Sequence, residues 1–260
     1  MNVEGDPLVK KFCCLTILLA AVCFLAACRG EKIPVDELLN RGVAAAQNGD
    51  WEKAREFAKR ALKSAPDNVN ALILHALSLE NTGDPDAALE EVSKATAINE
   101  ADYFAQYTKG RLYYEKKRFD ACIAPLRAAL NLRPDATDPL ILLAQSAVHT
   151  NNAQDARIYY SRLARNKKFA RNPAPWSELG MNFIYFDRKS PQAAQYLIYA
   201  YRLQPENPTL LLNLAVYFDS HQRNRAEARK YYTRFLNMTR QNSSMSRNRE
   251  AVEKRMQALR

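Results

Sequence analysis

Apolar residues recur at intervals of three and four along nearly the whole chain beyond its first thirty residues. Trp176, Leu179 and Phe183 follow this spacing, as do Leu211, Leu214 and Phe218. Such spacing puts the apolar side chains on one face of an α-helix. No segment of strand length alternates with period two, and glycine occurs only 7 times in 260 residues. Both features predict an all-α chain.

Superimposed on this period is a longer one. A small residue recurs as Gly42, Ala76, Gly110, Ala144, Gly180 and Ala215, in steps of 34, 34, 34, 36 and 35 residues. A second series reads Ala54, Ala88, Cys122, Ala156, Ala193 and Ala228, and a third reads Ala61, Ala95, Ala129, Leu163, Ala200 and Phe235. Small residues at fixed positions let two antiparallel helices approach closely. The stretch from Trp176 to Pro205 carries the fullest version: Trp176, Leu179, Gly180 and Phe183, then Ala193, Leu197, Ala200 and Pro205. This W-x2-L-G-x2-aromatic, A-x3-hydrophobe, A, P order resembles the tetratricopeptide repeat. The resemblance implies an α-solenoid of about six helix-turn-helix repeats wound into a right-handed superhelix. Their expected bounds are 35–68, 69–102, 103–136, 137–170, 173–206 and 208–241. Pro125 is read early in its helix, where a missing donor costs least. The two prolines of the 165–175 joint, Pro173 and Pro175, are read as extended.

Residues 1–27 stand apart from this pattern. Lys10 and Lys11 precede an apolar run from Phe12 to Ala26, which is shorter than the ~20 residues of a membrane span. The run closes on Leu25-Ala26-Ala27-Cys28, which resembles the bacterial lipobox. That resemblance implies cleavage before Cys28, lipidation of its thiol, and a tether over 28–34. It further implies a bacterial envelope location, with Arg29 favouring the outer membrane facing the periplasm. An uncleaved anchor and a plain secretory signal are the alternatives. Of the 5 cysteines only Cys28 and Cys122 would remain in the mature chain, so no disulfide framework is expected, and Cys122 reads as a small core residue. Residues 242–260 form either a basic capping helix, with an apolar stripe of Ala251, Met256 and Leu259, or a basic tail.

Charge is uneven. Residues 1–136 carry 18 Lys+Arg against 19 Asp+Glu, a net of −1, and residues 137–260 carry 20 against 9, a net of +11. A basic half suits anionic headgroups or an acidic partner, or forms a solvated outer face; a lipid-anchored envelope protein is expected to meet no nucleic acid.

Catalytic chemistry is not legible. His75, His149 and His221 fall in different repeats, and no phosphate loop, nucleophile elbow or C-x-x-C is present. His75 reads as a satisfied core histidine, and Glu90-Glu91 as surface. The chain is therefore expected to be no enzyme, with no metal and no cofactor. What remains is the concave surface, where this repeat family binds ligands through its first helices. Carried over by position, the resemblance implies a groove that includes Leu39, Val43, Asn70, Ile73 and Leu77. Its binding candidates are Phe104, Tyr107, Arg111, Tyr114, Gln145, His149, Met181 and Tyr185. An apolar and aromatic groove suits a peptide segment of an envelope protein. Six repeats behind a lipobox look like the pilotin lipoproteins of type IV pili. Barrel-assembly and cell-wall-hydrolase regulators, which act without a groove peptide, share that plan.

Overall fold

The computed structural model describes residues 33–187 and 190–259, so the expected signal segment and Cys28 lie outside the described residues. Among the described residues there are thirteen α-helices and no strand. Twelve form six antiparallel hairpins. These are α1 (Val35–Gln47) with α2 (Trp51–Ser64), α3 (Val69–Asn81) with α4 (Pro85–Ile98), and α5 (Tyr103–Glu115) with α6 (Phe119–Leu132). They continue as α7 (Thr137–His149) with α8 (Ala153–Arg165), α9 (Ala174–Phe186) with α10 (Gln192–Leu203), and α11 (Pro208–Ser220) with α12 (Arg225–Thr239). A last helix, α13 (Ser246–Ala258), closes the array.

Turn chemistry sets where each hairpin folds back. Asp50, Asp84, Asn152 and Asn224 precede second helices, and each side chain accepts a hydrogen bond from a backbone N–H of the first turn. In the first four hairpins and the sixth, the residue just before the N-cap has positive φ: Gly49 and Gly83, but also Lys117, Asn151 and Arg223. The tight turn needs a left-handed residue there, and only the first two hairpins supply glycine.

Steric fit then stacks the hairpins. A Cβ placed on Gly110 would stand 2.5 Å from Cγ of Leu126 on α6, and one on Gly180 would stand 2.6 Å from Cγ of Leu197 on α10. Both helix pairs therefore touch at a distance that excludes even a methyl group. Ala54, Ala88, Cys122, Ala156 and Ala228 are all fully buried at the matching sites of the second helices. Each second helix also packs against the first helix of the next repeat, which makes one continuous core in the manner of a solenoid. The core runs across the irregular joint, because Leu179 of α9 packs with Leu143, Tyr160 and Leu163 of the preceding repeat.

Several local expectations are corrected. At the joint, residues Lys167–Phe169 form a 3-10 turn, Pro173 is the N-cap with φ −73 and ψ −19, and Pro175 sits inside the first turn of α9. Neither proline is extended, because the N-terminus of a helix has no use for the missing N–H. Pro125 is the seventh residue of α6, past the first turn, and its ring is buried in the core while the helix continues to Leu132. On α13 the buried stripe is Val252, Met256 and Leu259, whereas Ala251 faces solvent. These residues seat the helix on Leu211, Ala215, Tyr232 and Phe235. His75 is largely buried beside Glu91, with Nδ1 3.3 Å from a carboxylate oxygen, but its ring nitrogens make no well-formed hydrogen bond. Glu91 is correspondingly not a solvated surface group: burial pushes its carboxyl up, and Lys94 and His75 together more than reverse this.

Candidate functional site

The first helices α1, α3 and α5 line a cleft of about 480 Å³. Its wall is Leu39 and Val43 from α1, Ile73, Leu74 and Leu77 from α3, and Phe104 from α5, with Asp36, Asn40, Asn70 and Thr108 at its polar margin. Val43 and Phe104 are 45% and 53% exposed, far more than the core leucines around them. Phe104 is held at the lip by neighbours rather than by burial. The ring of Tyr103 meets it edge-on at 5.3 Å, and the guanidinium of Arg133 lies 4.7 Å over its face. Such a cation–π contact orients an exposed ring at a gain of roughly 0.5–1 kcal/mol. Tyr103 in turn stacks on Tyr107 at 6.0 Å.

Beyond this cleft the same face becomes polar and self-bonded. Arg111 forks onto Glu80 of α3, with Nη2 donating to Oε2 at 2.6 Å, and Nη1 donates to Glu115 at 2.7 Å. The hydrogen bonds that it donates to Glu80 drive the guanidinium pKa further up, so its charge is permanent. Tyr114 donates to Oε1 of Gln145 on α7 at 3.0 Å. Its ring meets Phe119 edge-on at 5.4 Å, and Phe119 stacks on His149 at 4.0 Å. Glu80–Arg111 and Tyr114–Gln145 are each 31 residues apart. Both pairs join the twelfth position of one first helix to the ninth position of the next, so they are equivalent rungs.

The eight candidates therefore separate. Phe104 alone lines the apolar cleft. Arg111, Tyr114, Gln145 and His149 are engaged in ties between repeats. Tyr107 is half-buried, and burial raises its phenol pKa. Met181 packs into the core formed with Leu214 and Tyr217, because its position faces the next hairpin. Tyr185 is 69% exposed near the end of α9, apart from the cleft. Glu80, Asn40 and Arg133 are the participants that pattern reading missed. The signal for Glu80 was present as an acid 31 residues before an arginine.

A second cleft, also about 480 Å³, opens between the starts of α9 and α11. It is polar, lined by Arg171, Asn172, Glu178, Asn207 and Asn213, with Asn213 donating to Oγ of Ser177 at 3.0 Å. At the far end Asp219 is closed off by α13. Arg255 donates to both its oxygens at 2.7 Å, and Tyr232 adds a third bond at 3.1 Å. Those donors hold the Asp219 carboxyl below the usual range.

Among the described residues no cluster of three His, Cys, Asp or Glu side chains is placed to hold a metal ion, and no helix is long and apolar enough to cross a membrane. Cys122 is buried, 3.0 Å from Oγ of Ser146, and desolvation raises its thiol pKa. It is a packing residue in this setting.

Comparison with known proteins gives the following. The family pattern described as the tetratricopeptide repeat matches residues 39–103, 73–139, 107–171 and 185–244. A curated relative, the peroxisomal targeting signal receptor of Eremothecium gossypii, is 27% identical over 181 aligned residues. The match takes in 57% of this chain but only 32% of that protein, so the chain spans about a third of the length of the relative it matches. Among solved structures, YrrB, described as a protein of this repeat class with an unusual peptide-binding site, superposes with TM-score 0.62 at 16% identity, covering 71% of this chain and 93% of its own. The pilF protein of Pseudomonas aeruginosa superposes with TM-score 0.61 at 21% identity, covering 84% and 96%. At these identities the likeness is one of fold.

Proposed function

Because the chain belongs to the tetratricopeptide repeat family, we propose that it is a non-catalytic adaptor that captures a segment of a partner protein on its concave face. The observation that carries this reading is the apolar cleft of α1, α3 and α5, with Val43 and Phe104 left exposed beside half-buried Leu39 and Leu77 and buried Ile73 and Leu74. A solvent-facing phenylalanine fixed in orientation by Tyr103 and Arg133 costs solvation in the free protein, and a partner's apolar side chain would remove that cost. Asn40 and Asn70 at the margin supply amide donors and acceptors for a peptide backbone. The occupant is accordingly a short segment with apolar anchors, extended or helical.

The lipobox-like end at Cys28 supports a lipid anchor, and with it a place on a bacterial envelope membrane facing the periplasm. The partner is then an envelope protein. Six hairpins behind a lipobox support a role in building the secretin of type IV pili. The test is a photo-crosslinking residue placed at Phe104 and, as a control, at Ile158, which is equally exposed on the second helix α8. An adduct to one envelope protein from Phe104 and none from Ile158 is the expected result. Adducts from Ile158 alone would move the binding surface to the outer face.

A further inference from the structure

Part of the excess positive charge of the second half lies in the loop that joins the fourth and fifth hairpins. Between the last turn of α8 and the first turn of α9 lie Arg165, Lys167, Lys168 and Arg171. All four are exposed, and none has an ion-pair or side-chain hydrogen-bond partner among the described residues. Arg111, Lys116 and Arg127, by contrast, bridge carboxylates of a neighbouring hairpin. The cluster lies at the joint where the spacing between repeats grows by two residues.

Its position follows from topology. First helices begin, and second helices end, on the same edge of the solenoid, and the joint lies on that edge. The loop between α10 and α11 and then Met245 follow it along the edge, as the clefts that they share demonstrate. The N-terminus of α1 also lies on this edge, so the chain joins the solenoid on the side that bears the cations. In the first half the edge has the opposite character, since Asp67, Glu100, Asp102 and Asp135 outnumber Lys63 and Arg133.

We infer that the joint between α8 and α9 is a contact for the anionic phospholipid headgroups of a bilayer, set on the same edge as the N-terminal anchor. This rests on the envelope-anchored reading above. Four long side chains without fixed partners suit a fluid array of phosphates, which adapts to them. A lipid chain with a basic patch is a known two-part mode of membrane attachment, and here the patch would fix the tilt of the solenoid over the bilayer.

The test uses the full acylated chain on vesicles of phosphatidylcholine, alone or with an equal part of phosphatidylglycerol. Amine acetylation is followed at Lys167 and Lys168, with Lys117 on the opposite edge as the internal reference. Several-fold protection of the two lysines on the anionic vesicles, absent on the neutral ones and erased by raised salt, is expected. R165Q/R171Q should weaken that protection and R165K/R171K should keep it, with circular dichroism confirming the fold of both. Equal reactivity on the two vesicle types overturns the inference, as does protection that appears only when an envelope protein is added. Failure of the anchor reading is separately visible as protein that does not sediment with neutral vesicles, and labelling on anionic vesicles still decides the patch.

Discussion

Gly110→Ala tests the packing register of the array most directly. The added methyl would sit 2.5 Å from Cγ, 2.7 Å from Cδ2 and 3.2 Å from the backbone nitrogen of Leu126. Ordinary carbon contacts lie near 3.5–4.0 Å, so Leu126 must retreat by about 1 Å. It has no room to do so, being fully buried, and its backbone is part of the contact. Overpacking of this kind costs ~1–3 kcal/mol, against which alanine regains ~1 kcal/mol of helix propensity. The net expectation is a loss of roughly 1–2 kcal/mol. The second repeat shows the remedy. Ala76 there is followed 16 residues later by Val92, the same offset that links Gly110 to Leu126, and both are fully buried in one cluster. Gly110→Ala with Leu126→Val should therefore recover stability relative to the sum of the single changes, with a coupling of about 1 kcal/mol or more in a double-mutant cycle. Urea unfolding followed by helical circular dichroism measures this, with transition breadth watched because repeat arrays lose two-state behaviour. A neutral Gly110→Ala, or strictly additive singles, would refute the close crossing of α5 and α6.

Three further outcomes are expected. Phe104→Ala should leave the melting temperature nearly unchanged, since the ring is 53% exposed, while weakening partner capture by roughly 1–2 kcal/mol or more in a titration. Arg111→Ala should act the other way: it strands Glu80, whose side chain is only 13% exposed, and should cost about 1–3 kcal/mol of stability in denaturant titration. Asp219→Asn should lower the melting temperature at neutral pH. Because the folded carboxyl titrates below its unfolded value, its contribution is present above about pH 4 and disappears as pH falls through the folded value. The gap between wild type and variant should thus close in acid, and a constant gap from pH 7 to pH 2 would count against the ionised clasp with Arg255.

The solenoid itself was legible because its spacing is a steric demand. Gly110 and Gly180 cannot be larger, and Asp50 or Asp84 must cap the turn, so the sequence carries those marks at fixed intervals. The site was less legible. Position on the concave face was readable for Phe104, but the state of Arg111 depends on Glu80, which lies on another hairpin at an offset set by the stacking angle. Helical periodicity within one segment contains no information about that angle. Val252 was passed over for Ala251 for a related reason: which side of α13 meets α11 and α12 is decided by where the 3-10 turn at Ser243–Met245 leaves the chain. Pro125 shows the converse, a residue whose cost to the helix is offset by the burial of its ring.

The two ends of the array differ, and the difference has a mechanical meaning. The C-terminal end is sealed by α13 through Val252, Leu259 and the Arg255–Asp219 clasp. At the other end, among the described residues, no helix covers the outer side of α1, where Glu37 and Arg41 face solvent. In a one-dimensional array each hairpin is supported by its neighbours, so an end hairpin with one neighbour is the first to peel. A pull applied through the N-terminus loads that hairpin first. A pull on the C-terminus meets the clasp first. The cleft spans α1, α3 and α5, so a segment seated in it would splint the very hairpins that yield earliest.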